Sequence, residues 1–127
     1  MTRWCVPITV DYTVMGGIDL AAELRDALGL EFRRGAVVLA ALSQLEEEQY
    51  GYSLKRELIE RGFDVEEGTL YPLLRRLESQ ELLSSRWVVE DSRPRRYYRL
   101  TDKGKRLFKQ LKADWQALVS TMERVLK

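Results

Sequence analysis

"EEGTLYPLLRRLESQELL", residues 66–83, is the stretch on which the fold of this chain turns. Leu70, Leu73, Leu74 and Leu77 recur at i, i+3, i+4 and i+7, so at 100° per residue they fall on one narrow arc of a helix. Such a stripe belongs in a core. The opposite arc carries Tyr71, Pro72, Arg75, Arg76 and Ser79. A helix whose outer face serves only solubility usually mixes Glu and Lys at i, i+4. Here the outer face holds two adjacent arginines, a tyrosine and small polar groups instead. A guanidinium fork grips a phosphate or a guanine edge through two parallel bonds, and a tyrosine hydroxyl or a helix N-terminus can hold a phosphate. Pro72 lacks a backbone N–H and is harmless only near a helix start, so the first turn is expected close by, with free N–H groups facing outward.

The flanks supply the rest of a domain. "FRRGAVVLAALSQL", residues 32–45, is apolar nearly all round and predicts a largely buried helix. "EEEQYGYS" ends it, and a second helix over about 51–61 turns Leu54, Leu58 and Ile59 inward and Lys55, Arg56 and Glu60 outward, with Gly62 closing it. After Leu82, "LLSSRWVVED" and "RRYYRL" read as two strands around the turn "DSRP". By alternation Tyr97 and Tyr98 face opposite ways, one to the core and one to solvent. Thr101 then reads as the N-cap of a last helix to about Leu126, with Asp102 at the positive end of its dipole. Ahead of all this, residues 6–14 alternate as a strand, Gly16–Gly17 breaks it, and Asp19 caps a short helix over 19–28 that ends at Gly29. The expected organisation is an N-terminal extension over 1–31, a winged helix-turn-helix over 32–100 and a C-terminal dimerisation helix over 101–127. In fold class it is mainly α with a small β hairpin.

Composition removes most chemistry. Among the 127 residues there is one cysteine, Cys5, and no histidine, so triads, imidazole catalysis and Cys/His zinc sites are excluded within one chain. Neither phosphate-binding glycine motif is complete at Gly16–Gly17. Glu46–Glu47–Glu48 reads as a solvated helix end, and no enzyme activity or cofactor is expected. A hydrophobic fraction of 45% with 32% charged residues fits a globular domain, no apolar run is long enough to span a membrane, and a cytoplasmic location is expected.

The net charge of +1 says little, but its distribution says more. From Thr69 to Arg106 ten Arg and Lys face five Asp and Glu, a local excess of +5. A basic segment inside a near-neutral chain marks a surface that meets a polyanion. "SRPRRYYRL", residues 92–100, interleaves four of these arginines with two tyrosines, which puts Arg93, Arg95 and Arg96 on a hairpin beside the reading helix. In the last helix Leu111, Trp115, Leu118, Met122 and Val125 follow a 4-3-4-3 spacing, widened by Phe108, Val119 and Leu126. A final helix with that seam calls for a partner chain, and a second copy is the expected one.

"YGYSLKREL", "EEGTLYPLLRRLESQELL" and "RRYYRLTDKG", in that order, resemble the PadR family of bacterial transcriptional regulators, over about Arg33 to Lys127. The resemblance implies a homodimeric winged-helix repressor whose third core helix enters the major groove of a palindromic operator, with the last helix as dimer interface. It further implies that a small aromatic effector binds some members at that interface, where Trp115, fourteen residues beyond Thr101, holds the position of a pocket-lining tryptophan. Two features depart from the pattern. Glu81 stands where the family usually has glycine after the reading helix; if φ is positive there, Glu costs on the order of 1 kcal/mol and the helix end takes another shape. Residues 1–31 exceed the usual lead-in.

Together these readings make the chain a sequence-specific regulator of transcription binding double-stranded DNA. Operator contacts are expected from Thr69, Tyr71, Pro72, Arg75 and Arg76, backbone contacts from Lys55 and Arg56, and wing contacts from Arg93, Arg95 and Arg96. The dimer seam is Phe108, Leu111, Trp115, Leu118, Met122 and Val125. Two rival readings use the same residues: a winged-helix module that recruits a protein, and a dimer that binds a small molecule with no role at DNA.

Overall fold

The computed structural model describes residues 19–127. The strand expected at 6–14 lies outside them. The chain divides into two units, Met1–Arg34 and Gly35–Lys127.

Helix α1 runs without interruption over Leu20–Ser43. Asp19 caps it as expected, its Oδ1 accepting the Ala22 N–H at 3.1 Å. The predicted stop at Gly29 is overturned. A glycine in a helix interior costs about 1 kcal/mol, too little to end a run flanked by Leu28, Leu30 and Glu31. Burial also begins later than expected. Phe32 is 84% exposed, and only from Val37, through Ala41 and Leu42 to Leu45, does the segment enter the core.

In the second unit α1 leads through a short strand β1 (Gln49–Tyr50) to α2 (Gly51–Glu60) and α3 (Glu67–Ser79). Leu54 and Leu58 of α2 are buried, whereas Ile59, one residue and 100° further round, stays 41% exposed against expectation. The leucine stripe of α3 behaves as read: Leu70, Leu73, Leu74 and Leu77 are all buried. Each such side chain contributes roughly 1.5–3 kcal/mol.

Both helices end in the same device. At the end of α2 the Phe63 N–H bonds the Leu58 carbonyl and the Gly62 N–H that of Ile59, with Gly62 at φ 91°. At the end of α3 Leu82 bonds Leu77 and Glu81 bonds Glu78, with Glu81 at φ 66°. These are the paired bonds of a Schellman cap. The helix end therefore keeps the glycine-type geometry although the residue is glutamate, and the different shape expected there is not adopted. The buried pair Leu77 and Leu82 supplies the apolar contact that holds it.

Strands β2 (Leu83–Glu90) and β3 (Arg93–Leu100) form the hairpin, and the sheet order is β1-β3-β2, all antiparallel. Glu90 pairs with Arg93, so the turn is the two residues Asp91 and Ser92, tighter than the four expected. Both sit at positive φ, 49° and 64°, the combination that matches the right-handed twist of a hairpin. Pro94 can lie in the middle strand because β1 pairs only with Tyr97 and Tyr98 and leaves that edge open beside it. Tyr98 is buried and Tyr97 half-exposed, as the alternation requires. Strand β1 itself was hidden in the sequence.

Helix α4 (Asp102–Val125) begins where Thr101 Oγ1 accepts the Gly104 N–H at 2.9 Å and donates to the Glu81 carbonyl at 2.7 Å. The Thr101 N–H bonds the Leu82 carbonyl at 3.0 Å and the Lys103 ammonium bonds that of Gln80 at 3.2 Å. The start of α4 is thus fastened to the end of α3. The whole is a mainly helical winged helix-turn-helix with a three-stranded antiparallel sheet and a long C-terminal helix.

Candidate nucleic-acid interface

Helix α3 offers its polar face outward because its leucine stripe is spent on the core. Thr69, Pro72, Arg75 and Arg76 are exposed. Among the described residues no carboxylate pairs with Arg75 or Arg76. Glu66 precedes the helix in extended conformation and its side chain caps nothing, while Glu67 sets a carboxylate in the first turn, at the dipole's positive end. Pro72 is the sixth helical residue, a turn deeper than its chemistry prefers. The residue four positions back is Gly68, with open space around its Cα, so the proline ring meets no side chain there.

Tyr71 is not a free finger. Its ring packs over the backbone of Gly51, where a Cβ would lie 2.7 Å from Cε1, and the residue is half-buried against the core. Burial first, and the Glu67 carboxylate beside it second, push its phenol above the ordinary value, so the hydroxyl stays a donor at neutral pH.

The remaining cations divide sharply. In α2, Lys55 meets Glu67 at 3.4 Å and Arg56 meets Glu60 at 3.6 Å, both weak surface pairs that a phosphate can displace. On the wing Arg93 is exposed, and Arg95 lies over the Tyr50 ring at 4.6 Å. Arg96 is directed inward. It donates to Glu78 at 2.8 Å and to Ser85 Oγ at 2.9 Å, while Ser85 Oγ donates to the other Glu78 oxygen. Of the three wing arginines it is the one committed to holding β3 against α3. Arg86, which the charge count included, is likewise spent. Its fork on Glu48, at 2.7 and 2.6 Å, holds that carboxyl below the usual range, chiefly through the hydrogen bond.

Between the start of α2, α3 and the wing runs a groove of about 670 Å³. Sequence reading missed three residues that line it: Tyr50, Tyr52 and Trp87. Tyr52 is 50% and Trp87 63% exposed. Trp87 shares its face of β2 with Ser85 and Val89, and only the fold reveals that this side of the sheet is left uncovered there.

The expected dimer seam also divides. Phe108 and Leu111 are half-buried against the domain's own core. Trp115, Leu118, Met122 and Val125 are exposed, with Val119 and Leu126 beside them. Among the described residues no helix is long and apolar enough to cross a membrane.

Comparison with known proteins agrees with this geometry. Residues 38–110 match the model of the transcriptional regulator PadR-like family. A transcriptional regulator of Mycobacterium tuberculosis is 46% identical over 76 residues, covering 59% of this chain and 71% of that protein. The crystal structure of a PadR family regulator from Eggerthella lenta matches with a TM-score of 0.78 at 43% identity, covering 87% of this chain and 98% of the other. A PadR-like regulator from Bacillus cereus matches with a TM-score of 0.67 at 31% identity, covering 76% and 97%. With the reading helix, wing and long last helix all in place, the chain belongs to the PadR-like family of transcriptional regulators, proteins that act on DNA and not as enzymes.

Proposed function

We propose that this regulator is a homodimeric repressor that binds a palindromic operator, with α3 of each protomer in a major groove and the wing on the flanking backbone. The observation that carries the reading is the pair Arg75 and Arg76. They stand exposed and, among the described residues, without carboxylate partners on the face opposite the buried leucines. Thr69 and Pro72 share that face, and Arg93 and Arg95 extend it along the wing. Lys55 and Arg56 reach the backbone once phosphate replaces Glu67 and Glu60. Base edges are read by the forks of Arg75 and Arg76, and register is set by the phosphate contacts around them.

The dimer is supported by the apolar end of α4. Trp115, Leu118, Met122 and Val125 face solvent in one chain at 47%, 52%, 38% and 65%, an unpartnered stripe that a second α4 would bury. Two reading helices then meet successive major grooves about 34 Å apart. A ligand that favours another dimer geometry breaks that match and releases the operator. Trp115 is the candidate to line such a ligand's pocket.

A salt titration tests the DNA reading. Contact with about 6–10 phosphates predicts a loss of roughly 10³–10⁵ in affinity between 50 and 200 mM salt. Equal affinity for the protein's own promoter and for random duplex would overturn the claim of specificity. For the dimer, Leu118→Glu is expected to give a monomer in sedimentation and to abolish operator binding at concentrations where the parent is saturated.

A further inference from the structure

We infer that Glu48 and Arg86 are positioning residues of the wing: their fork fixes the direction of the β2–β3 hairpin, so that Arg93 and Arg95 meet the duplex backbone already aligned. The duplex contact rests on the DNA-binding reading above; the clamp itself does not. In the run read from sequence as a solvated helix end, Glu46 and Glu47 are indeed exposed. Glu48 is half-buried and accepts both bonds of the Arg86 guanidinium, at 2.7 and 2.6 Å.

Placement gives the pair its use. Glu48 stands just ahead of β1, Arg86 lies on β2, and β3 runs between those strands. The fork therefore links the two outer strands, about 10 Å apart, across the middle one. Arg86 pairs with Tyr97 and Trp87 with Arg96, so this fork and the Arg96–Glu78 pair occupy opposite faces of the hairpin. Tyr97 continues the outer face toward the tip. Its hydroxyl donates to Glu90, and its ring stands 5.3 Å from that of Tyr50, over which Arg95 lies at 4.6 Å.

The arm beyond the clamp is long enough for its angle to matter. Strand β1 pairs with β3 only at Tyr97 and Tyr98, so from Arg96 to the turn the hairpin has no third strand. The steps from Tyr97 back to Arg93, at about 3.4 Å each, make an arm of roughly 14 Å. A tilt of about 10° at Tyr97 displaces Arg93 by roughly 2.4 Å, several times the spread of about 0.5 Å that a hydrogen bond tolerates. An exposed ion pair adds little to stability, but a two-bond fork fixes an orientation that a single contact leaves loose.

The test uses the full chain in two variants. Glu48→Gln removes a negative charge, which by electrostatics alone tightens binding to a polyanion; the clamp predicts the opposite sign. Arg86→Lys keeps the charge and loses the fork. In the free protein, backbone nitrogen-15 order parameters at the hairpin tip are expected to fall below the rigid value of about 0.85 in both variants, with α3 unchanged. Both should bind a duplex of the protein's own promoter several-fold more weakly than the parent. Their salt dependence should be shallower by up to about two phosphates, one each for Arg93 and Arg95. Arg93→Ala, which weakens the parent, should add little in either variant. Unchanged order parameters, or loosening that extends into α3, overturn the clamp whatever the duplex does. Duplex binding by Glu48→Gln as tight as the parent's or tighter, or losses that simply add to that of Arg93→Ala, overturn its role at DNA. If the parent binds no duplex, the DNA reading alone fails, and the order parameters still judge the clamp.

Discussion

Arg96 and Glu78 join the wing to the reading helix, guanidinium to carboxylate at 2.8 Å, with Ser85 bonded to both. The consequence is a division of labour among arginines that look alike in sequence. Arg75→Ala is predicted to cost about 1–3 kcal/mol in operator affinity if its fork reads a base edge, with the fold intact. Arg96→Ala is predicted to do the reverse. It removes the guanidinium from Glu78 Oε1 and from Ser85 Oγ, leaving only the Ser85 hydroxyl on Glu78, and lowers stability by roughly 1–2 kcal/mol, read from urea midpoints. Loss of operator affinity by Arg96→Ala with unchanged stability would put that residue back on the DNA.

Glu81 sits at φ 66° in the cap of α3, a conformation that a Cβ disfavours. Glu81→Gly is therefore expected to stabilise the domain by about 1 kcal/mol, seen as a rise of several degrees in the thermal midpoint. Its ion pair with Lys103, at 4.0 Å and largely exposed, offsets little. A fall in midpoint would mean that the strain is already relieved.

Gly104 and Gly68 make opposite predictions from the same substitution. A Cβ on Gly104 would stand 2.1 Å from the Leu82 carbonyl oxygen, a backbone atom that cannot step aside. Gly104→Ala must push α4 away from the end of α3, at a cost of about 1–3 kcal/mol or more. A Cβ on Gly68 meets nothing within 4 Å, and Gly68→Ala is expected to stabilise α3 by roughly 0.5–1 kcal/mol. Both are checked by chemical denaturation.

Alkali should unfold this domain ahead of its surface chemistry. Tyr98 is pushed above the ordinary value of 10.0 by burial, and Tyr71 likewise by burial and then by Glu67. A phenol whose pKa is raised by folding holds its proton more tightly in the native state. Its contribution is complete below about pH 10 and is lost as the pH rises through the folded value. Tyr98→Phe keeps the ring without the titration and is predicted to flatten the alkaline limb of a stability profile. An unchanged limb would exclude Tyr98 as its source.

The parts of the fold written in local periodicity were legible. The leucines of α3, the capping threonine and the alternation of Tyr97 and Tyr98 need only the geometry of one element. Features set between elements were not. Strand β1 is two residues whose only signal is their partner strand. The turn at Asp91–Ser92 lacks the glycine that usually announces positive φ at both positions. Gly29 looked like a stop because a glycine's local cost is visible, while the strength of the run around it is not. On the candidate interface, sequence pointed to the exposed cations of α3 but could not tell an unengaged guanidinium from one already engaged, so Arg96 read the same as Arg93. Tyr52 and Trp87 carry no motif at all, and their exposure follows from a groove that exists only once α2, α3 and the wing are assembled.

Thr101, Lys103 and Gly104 weld the first turn of the last helix to the final carbonyls of the reading helix. At 1.5 Å per residue α4 is a rod of about 36 Å. Swinging its free tip by about 6 Å rotates that rod by roughly 10°. A joint with no slack passes the rotation on instead of absorbing it. The long arm is a tiller, and whatever steers its far end also steers the end of α3 to which it is fastened.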